Sequence, residues 1–177
     1  MKTTFLFLLS LLTISIFGQK SFYDFTLTNI EGKEFAFSQL KGKKVLLVNT
    51  ASRCSLTPQY AQLEKLNQEF GGENFIIIGV PANNFMKQEP GTDREIQDFC
   101  RKNYGVSFPM MSKISVKGKD IHPLYAWLTN KSENGRKNSE VKWNFQKYLI
   151  DENGNLDGVV NPWKNPYSKK IIRWINN

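Results

Sequence analysis

Two uninterrupted runs of hydrophobic residues, at positions 45–48 and 75–80, dominate the first half of the chain. Both are rich in β-branched residues and neither alternates with polar positions, which is typical of strands buried on both faces of a sheet. The segment between them, 57–70, repeats its apolar residues at helical spacing, and we expect Thr57 to be its N-cap and Pro58 its first residue. A strand, a helix and a strand in this order predict a parallel βαβ unit.

Weaker patterns before and after this unit predict two β-hairpins. Residues 25–29 and 35–37 flank a turn that contains glycine. Residues 148–150 and 156–160 flank the sequence D-E-N-G-N, which is a strong hairpin signal. Hairpins pair antiparallel strands, so we expect the sheet to combine parallel and antiparallel neighbours.

Three further segments are predicted to be helices. Thr92 and Glu95 have the spacing of a capping box at the start of one helix, and shorter helices are expected over 123–129 and 169–175. Residues 111–116 are predicted to form another strand. A central mixed sheet flanked by helices places the chain in the α/β class, with the arrangement of a thioredoxin-like fold.

The first eighteen residues differ in composition from the rest of the chain. Lys2 precedes an apolar run, 5–17, and Gly18 follows it, which is the layout of a secretory signal peptide. Cleavage of residues 1–18 would leave 19–177 as one exported domain, periplasmic or secreted. The run is shorter than the ~20 residues of a membrane span. A retained anchor is the alternative, because no clear A-x-A cleavage pattern is present.

Composition excludes several kinds of function. The net charge is +8, but the basic residues form dispersed clusters without aromatic interleaving, so we expect no nucleic-acid partner. Solvated faces explain these clusters, and an acidic protein partner is the alternative. A single histidine, His122, and two cysteines, Cys54 and Cys100, supply neither a His-rich metal site nor a disulfide scaffold. We expect no metal or organic cofactor, and a surface or capping role for His122.

Cys54 lies in the polar loop between the first buried strand and the helix predicted to follow it. A sulfur just ahead of a helix N-terminus and next to Arg53 is in an environment that favours the thiolate, which is the nucleophilic form. A buried, inert cysteine in a packed turn is the alternative that position alone leaves open.

Three separated motifs carry a resemblance to a known family. Residues 48–57 read V-N-T-A-S-R-C-S-L-T, residues 81–91 read P-A-N-N-F-M-K-Q-E-P-G, and residues 142–145 read K-W-N-F. In this order they resemble the glutathione peroxidase family, which has V-N-V-A-S-x-C-G-x-T, P-C-N-Q-F-x-x-Q-E-P-G and K-W-N-F. Three motifs in the right order are far more specific than any one of them.

The resemblance assigns roles to single residues. It implies that Cys54 is the peroxidatic cysteine and that its catalytic partners are Gln88, Trp143 and Asn144. Attack on a peroxide O–O bond requires a thiolate and donors that stabilise the departing oxygen, and amide and indole N–H groups are such donors. Cys100 lies in a segment similar to the one that bears the resolving cysteine in members reduced by thioredoxin.

Some positions depart from the family pattern. Ala82 stands where many members have a third cysteine, Ser55 replaces a glycine beside the nucleophile, and Asn84 replaces a glutamine. The segment 132–142 lacks the insertion that the tetrameric animal enzymes use for assembly. The resemblance therefore implies a monomer with an open active face.

The sequence thus predicts a thiol peroxidase that reduces hydrogen peroxide and organic, including lipid, hydroperoxides. Cys54 would become a sulfenic acid, Cys100 would condense with it to a disulfide, and a thioredoxin-like dithiol protein would restore both thiols. A disulfide requires Cα atoms within ~7 Å of each other, so we expect the helix that carries Cys100 to unwind in part. Membrane contact is expected only through lipid hydroperoxides.

Two alternatives remain open at this point. One is reduction by glutathione without a resolving cysteine, and the other is a redox-sensing protein whose oxidised form binds a partner. A general disulfide oxidoreductase of the same fold is disfavoured, because the chain has no C-x-x-C pair.

Overall fold

The structure is a computed structural model, and it describes residues 20–177. The predicted signal peptide, 1–18, lies outside the described residues. Short 3-10 turns at Phe22–Asp24 and Phe37–Leu40 accompany six strands and five α-helices in the described part. In chain order these elements are β1 (Thr26–Thr28), β2 (Glu34–Ala36), β3 (Lys44–Thr50), α1 (Gln59–Phe70), β4 (Phe75–Pro81), α2 (Asp93–Tyr104), α3 (Pro123–Thr129), α4 (Lys131–Asn134), β5 (Lys147–Ile150), β6 (Leu156–Val160) and α5 (Lys169–Asn176).

The central sheet has four strands in the order β4-β3-β5-β6. β3 pairs parallel with β4, where Val48 lies opposite Gly79, and antiparallel with β5, where Leu47 lies opposite Tyr148. Residues 45–50 are completely buried, since both faces of β3 are covered. The predicted βαβ unit and the mixed α/β sheet are therefore confirmed.

Successive residues of β3 project into two hydrophobic cores, one on each side of the sheet. Leu47 belongs to the core formed with α3 and the N-terminal segments, whereas Val48 belongs to the core beneath α1, α2 and α5. The second core also contains Cys54 and Cys100. The two cysteines therefore lie on the same side of the sheet.

Most of the predicted local signals are confirmed. The hairpins β1–β2 and β5–β6 both form, and Gly154 in the second turn has a φ of +79°, which glycine adopts without strain. In the capping box of α2 the Thr92 N–H donates to Glu95 at 2.7 Å and the Glu95 N–H donates to Thr92 at 3.3 Å. His122 caps α3, because its Nδ1 accepts the Leu124 N–H at 3.2 Å.

The helix after Cys54 begins later than predicted. α1 starts at Gln59, and Thr57 is not its N-cap. The Thr57 hydroxyl instead accepts the Cys54 N–H at 3.0 Å and donates to the Ala51 carbonyl at 2.9 Å. Buried backbone N–H and C=O groups require hydrogen-bond partners, and the Thr57 hydroxyl is the partner of two such groups in the Cys54 loop, so it is not available to cap the helix.

The prediction of a strand over 111–116 is wrong. Only isolated bridges occur here, formed by Met110 and Met111. The backbone N–H of Lys113 donates to Asp93 Oδ1 at 2.9 Å, so a side chain takes a group that a strand would pair with a neighbour. The segment therefore fastens the start of α2 instead of extending the sheet.

The short helix α4 was not predicted, because four residues are too few to show a helical period. It follows α3 at Asn130, whose side chain accepts the Ser132 N–H at 3.1 Å and starts the turn. In the part of the chain that the structure describes, no helix has the length and hydrophobicity to cross a membrane.

Candidate active site

Cys54 lies in a tight loop that connects the end of β3 to α1. Its side chain is 7% exposed, and its Sγ accepts the Leu56 N–H at 3.4 Å. The two Thr57 hydrogen bonds described above hold this loop against its own backbone. Because α1 begins only at Gln59, the Leu56 N–H, and not the first turn of the helix, is the backbone donor that reaches the sulfur.

Gln88 and Asn144, which are 56 residues apart in the sequence, are joined by a hydrogen bond. Asn144 is completely buried, and its Nδ2 donates to Gln88 Oε1 at 2.8 Å. This bond engages the acceptor end of the Gln88 amide. The Gln88 Nε2 makes no hydrogen bond within residues 20–177, so it is available as a donor to a ligand at the site.

The segment that carries Trp143 and Asn144 is held by the last turn of β3. Asn49 Nδ2 donates to the Trp143 carbonyl at 3.0 Å, and the Phe145 N–H donates to the Asn49 carbonyl at 2.6 Å. Phe145 has a φ of +67°, which is an unfavourable backbone conformation for an aromatic residue. Strain of this kind persists where the surrounding contacts over-determine the backbone, and it is common at functional sites.

The loop between β4 and α2 brings Gln88 to the Cys54 loop. The Arg53 N–H donates to the Gln88 carbonyl at 3.0 Å, so the residue next to the sulfur is bonded to the backbone of Gln88. The ring of Phe85 packs against Trp143 with 5.3 Å between centroids. Met86, between Phe85 and Gln88 in the chain, has a φ of +50°. The structure thus gathers all three sequence motifs at the same end of β3 and β4.

Cys100 lies on α2 and is 1% exposed. Burial raises the pKa of the Cys100 thiol to about 11, and the negative charge of Glu89 adds to the increase, while the Tyr60 hydroxyl opposes it. Both cysteines are free thiols in this structure. Cys100 is therefore a protonated thiol near neutral pH, and it is not bonded to Cys54 in this conformation.

Glu89 is a buried carboxylate at the site that the sequence reasoning missed. It is 1% exposed, and Ser52 Oγ donates to its Oε2 at 3.1 Å. Burial raises the pKa of Glu89 to about 7, although the Ser52 hydrogen bonds and the charges of Lys113 and Arg53 lower it. Its position directly after Gln88 in the second motif was the available signal. Asn49 was also missed, and there the signal was an amide in an otherwise apolar strand.

A pocket of about 190 Å³ opens next to the Cys54 loop. Its lining includes Ser52, Arg53 and Glu89 from the two loops and Glu95 and Phe99 from α2. In the range 20–177 no group of three or more His, Cys, Asp or Glu side chains could hold a metal ion. The geometry therefore offers a thiol, donor amides and a buried carboxylate for the chemistry.

Comparisons with known proteins agree with this geometry. A sequence model described as glutathione peroxidase matches residues 22–129. Glutathione peroxidase-like peroxiredoxin 2 of Saccharomyces cerevisiae is 46% identical over 136 residues, which cover 77% of this chain and 84% of the relative. A glutathione peroxidase homolog, BsaA, of Halalkalibacterium halodurans is 44% identical over 150 residues, which cover 85% of this chain and 95% of the relative.

Solved structures show the same relationship. A crystal structure titled "Trgpx in apo form" superposes with a TM-score of 0.69 at 36% identity and covers 90% of this chain and 98% of that one. A thioredoxin-family thiol:disulfide interchange protein from Chlorobium tepidum gives a TM-score of 0.61 at 18% identity over 86% of this chain and 93% of that one, which shows the shared fold. The family match, the identities and the assembled motifs lead to one conclusion: this chain belongs to the glutathione peroxidase family.

Proposed function

We propose that this protein is a thiol peroxidase in which Cys54 attacks the hydroperoxide, with Gln88, Trp143 and Asn144 as its partners. The observation that carries the assignment is the hydrogen bond from Asn144 to Gln88, beside the backbone bond that ties Gln88 to Arg53. Together these bonds hold the Gln88 amide next to the Cys54 loop. Among the described residues, Cys54 is the only cysteine whose sulfur accepts a backbone N–H.

The first step cleaves the O–O bond of the hydroperoxide. The Cys54 thiolate attacks the terminal oxygen, and the O–O bond breaks. The products are a Cys54 sulfenic acid and a leaving oxygen anion, which takes up a proton to become water from hydrogen peroxide or an alcohol from an organic hydroperoxide. Negative charge develops on the leaving oxygen. The free Nε2 of Gln88 and the indole N–H of Trp143 are the donors for that charge, since neither makes a hydrogen bond within residues 20–177.

The second step forms a disulfide between Cys54 and Cys100. The Cys100 sulfur attacks the sulfenic acid, the S–O bond breaks, and water leaves. Cys100 lies in the same core as Cys54 but on a helix, so α2 must open locally to bring the sulfurs together. A dithiol protein of the thioredoxin type then exchanges with the disulfide and restores both thiols.

The name of the yeast relative, a glutathione peroxidase-like peroxiredoxin, supports reduction by a dithiol protein in preference to glutathione. We further propose that the protein acts as a monomer and that lipid hydroperoxides are among its substrates. Export after removal of residues 1–18 is part of the same proposal, and sequencing the N-terminus of protein recovered outside the cytoplasm tests it.

Steady-state turnover with hydrogen peroxide and an organic hydroperoxide tests the proposed function. A thioredoxin system should support turnover that glutathione does not. Cys54→Ser should abolish turnover with both reductants, Cys100→Ser should lose the turnover that thioredoxin supports, and the exposed neighbour Ser55→Gly serves as the loop control. Retained turnover in Cys54→Ser would overturn the proposal, and normal cycling of Cys100→Ser would overturn the role of Cys100.

A further inference from the structure

Glu89 is fixed to the loop of Cys54 and not to the helix of Cys100. Its carboxylate accepts the Ser52 hydroxyl at 3.1 Å, and the residue before it, Gln88, accepts the Arg53 N–H through its carbonyl at 3.0 Å. Asn83 Oδ1 accepts the Glu89 N–H at 2.9 Å. When α2 opens, these bonds keep the carboxylate beside the peroxidatic cysteine.

The same carboxylate lines a pocket that α2 borders through Ile96 and Phe99, which lie four residues and one residue before Cys100 in the helix. Its negative charge raises the pKa of the Cys100 thiol and contributes to the raised pKa of the Tyr60 phenol, which burial dominates. The Tyr60 hydroxyl lies beside the Cys100 thiol and the Thr50 hydroxyl. Neither the Tyr60 nor the Thr50 hydroxyl has a hydrogen-bond partner of normal geometry in the described part of the chain. The Tyr60 ring and the Cys100 thiol therefore share one buried core, and Glu89 is the buried carboxylate whose charge reaches both groups.

The resolving step needs a proton acceptor. Before α2 opens Cys100 is a protonated thiol, because burial raises its pKa to about 11, and it must lose this proton to react, because the thiolate is the attacking form. A base whose pKa lies near the working pH is the most effective acceptor. The raised pKa of Glu89, about 7, meets that condition.

We infer that Glu89 is the general base of the resolving step and accepts the proton that Cys100 loses as it attacks the Cys54 sulfenic acid. The inference rests on the proposed function. The S–S bond forms, the S–O bond breaks, and the departing hydroxide takes the proton back from Glu89 and leaves as water. The carboxylate is restored, and no external oxidant or reductant takes part.

The groups that face Glu89 come from every element packed against it. Ser52 and Arg53 belong to the Cys54 loop, Lys113 to the segment after α2, and Tyr60 to α1, while Cys100 and the pocket carboxylate Glu95 belong to α2. The pocket of about 190 Å³ borders the carboxylate, so water formed in the reaction has a route to solvent.

Rapid-quench measurements on the reduced full chain test this role. Hydrogen peroxide is added, aliquots are quenched in acid, and mass spectrometry quantifies the Cys54–Cys100 disulfide while remaining peroxide is assayed in the same samples. In Glu89→Gln the ratio of the rate of disulfide formation to the rate of peroxide consumption should fall at least about tenfold. Glu95→Gln is the matched control, since it neutralises an exposed carboxylate of the same pocket and glutamine preserves the capping box.

The pH profile distinguishes a base from a structural contact. In the wild type the rate of disulfide formation should rise with pH and level off above about 7, once Glu89 is ionised. In Glu89→Gln the rate should keep rising above pH 7, because only direct ionisation of Cys100 remains. Ser52→Ala provides a second test if Glu89→Gln folds poorly. It removes a hydrogen bond that lowers the pKa of Glu89, so the rise should move to higher pH.

The outcomes separate the two proposals. If the Cys54–Cys100 disulfide formed in Glu89→Gln with the same rate ratio and pH profile as in the wild type, the role of Glu89 alone would be overturned. A pH profile of Ser52→Ala that matched the wild type would have the same consequence. Absence of any Cys54–Cys100 disulfide in the wild type would overturn the resolving role of Cys100 and the inference with it.

Discussion

Replacing Asn144 with alanine should slow the reaction with peroxide while leaving the dithiol step nearly intact. Asn144 is completely buried, and its Nδ2 holds Gln88 Oε1 at 2.8 Å. Without this bond the half-buried Gln88 side chain gains rotational freedom, and its Nε2 is no longer aimed at the departing oxygen. Reduction of the disulfide by a dithiol does not use this donor.

The magnitude follows from the kind of donor that is lost. A preorganised donor to a developing oxyanion contributes about 2–4 kcal/mol, and about 1.4 kcal/mol corresponds to a factor of ten in rate. Asn144→Ala should therefore lower the second-order rate constant for oxidation roughly 30- to 1,000-fold. The Asn144 Oδ1 accepts no hydrogen bond from the described residues, so Asn144→Ala breaks only the bond from Nδ2 to Gln88.

Stopped-flow fluorescence of the reduced protein mixed with hydrogen peroxide measures this rate constant directly. Thermal unfolding of the same samples establishes that the variant is folded, and Asn176→Ala, an exposed asparagine on α5, controls for loss of an amide elsewhere. An oxidation rate for Asn144→Ala within twofold of the wild type would refute the proposed positioning of Gln88.

Three further predictions concern stability and dynamics. Lys147 is completely buried, and its Nζ donates to Gln59 Oε1 at 2.5 Å, to the Pro162 carbonyl at 2.9 Å and to the Lys164 carbonyl at 2.6 Å. Lys147→Met removes the donor of these three hydrogen bonds, so it should lower the free energy of unfolding by about 2–4 kcal/mol, measured by urea titration. Because the folded-state pKa of Glu89, about 7, is above its ordinary value of 4.5, the folded state binds more protons between these values, and stability should fall by up to about 3 kcal/mol as pH rises through that window. Glu89→Gln should flatten this part of the stability profile, and an unchanged slope would contradict the burial argument. Amide exchange across 93–105 should be faster in the oxidised protein than in the reduced one, and equal protection in both would exclude opening of α2.

The sequence predicted the frame of the fold because its signals are local. The β-branched runs of β3 and β4 are buried on both faces, and the capping box at Thr92 needs only residues within one turn. The proposed catalytic partners could not be placed by local signals. Gln88 and Asn144 are far apart in the chain, and nothing in their local pattern indicates that one holds the other, so only the motif resemblance placed them together.

Residues whose roles depend on tertiary burial escaped prediction. A charged residue in a sequence is expected at the surface, because burial of a charge is costly unless it is paired or hydrogen-bonded. Glu89 and Lys147 are both buried, and each is held by partners distant in sequence. Thr57 was misassigned for the same reason, because its hydroxyl is hydrogen-bonded to Cys54 and Ala51 and does not cap the helix that follows.

Both ends of α2 are fastened to segments outside the helix, which bears on how Cys100 can move. At the N-terminal end Lys113 Nζ donates to the Gly91 carbonyl, and beyond the C-terminal end Glu64 accepts the Ser107 N–H at 2.9 Å and the Ser107 hydroxyl at 2.6 Å. These bonds do not involve the hydrogen bonds within the helix, so the helix can unwind between fixed ends without releasing its flanks. The loop of Cys54, by contrast, is held at each turn by its own backbone and by Thr57. In the proposed mechanism the peroxide step therefore uses a loop that is held by hydrogen bonds, and the disulfide step uses a helix that opens.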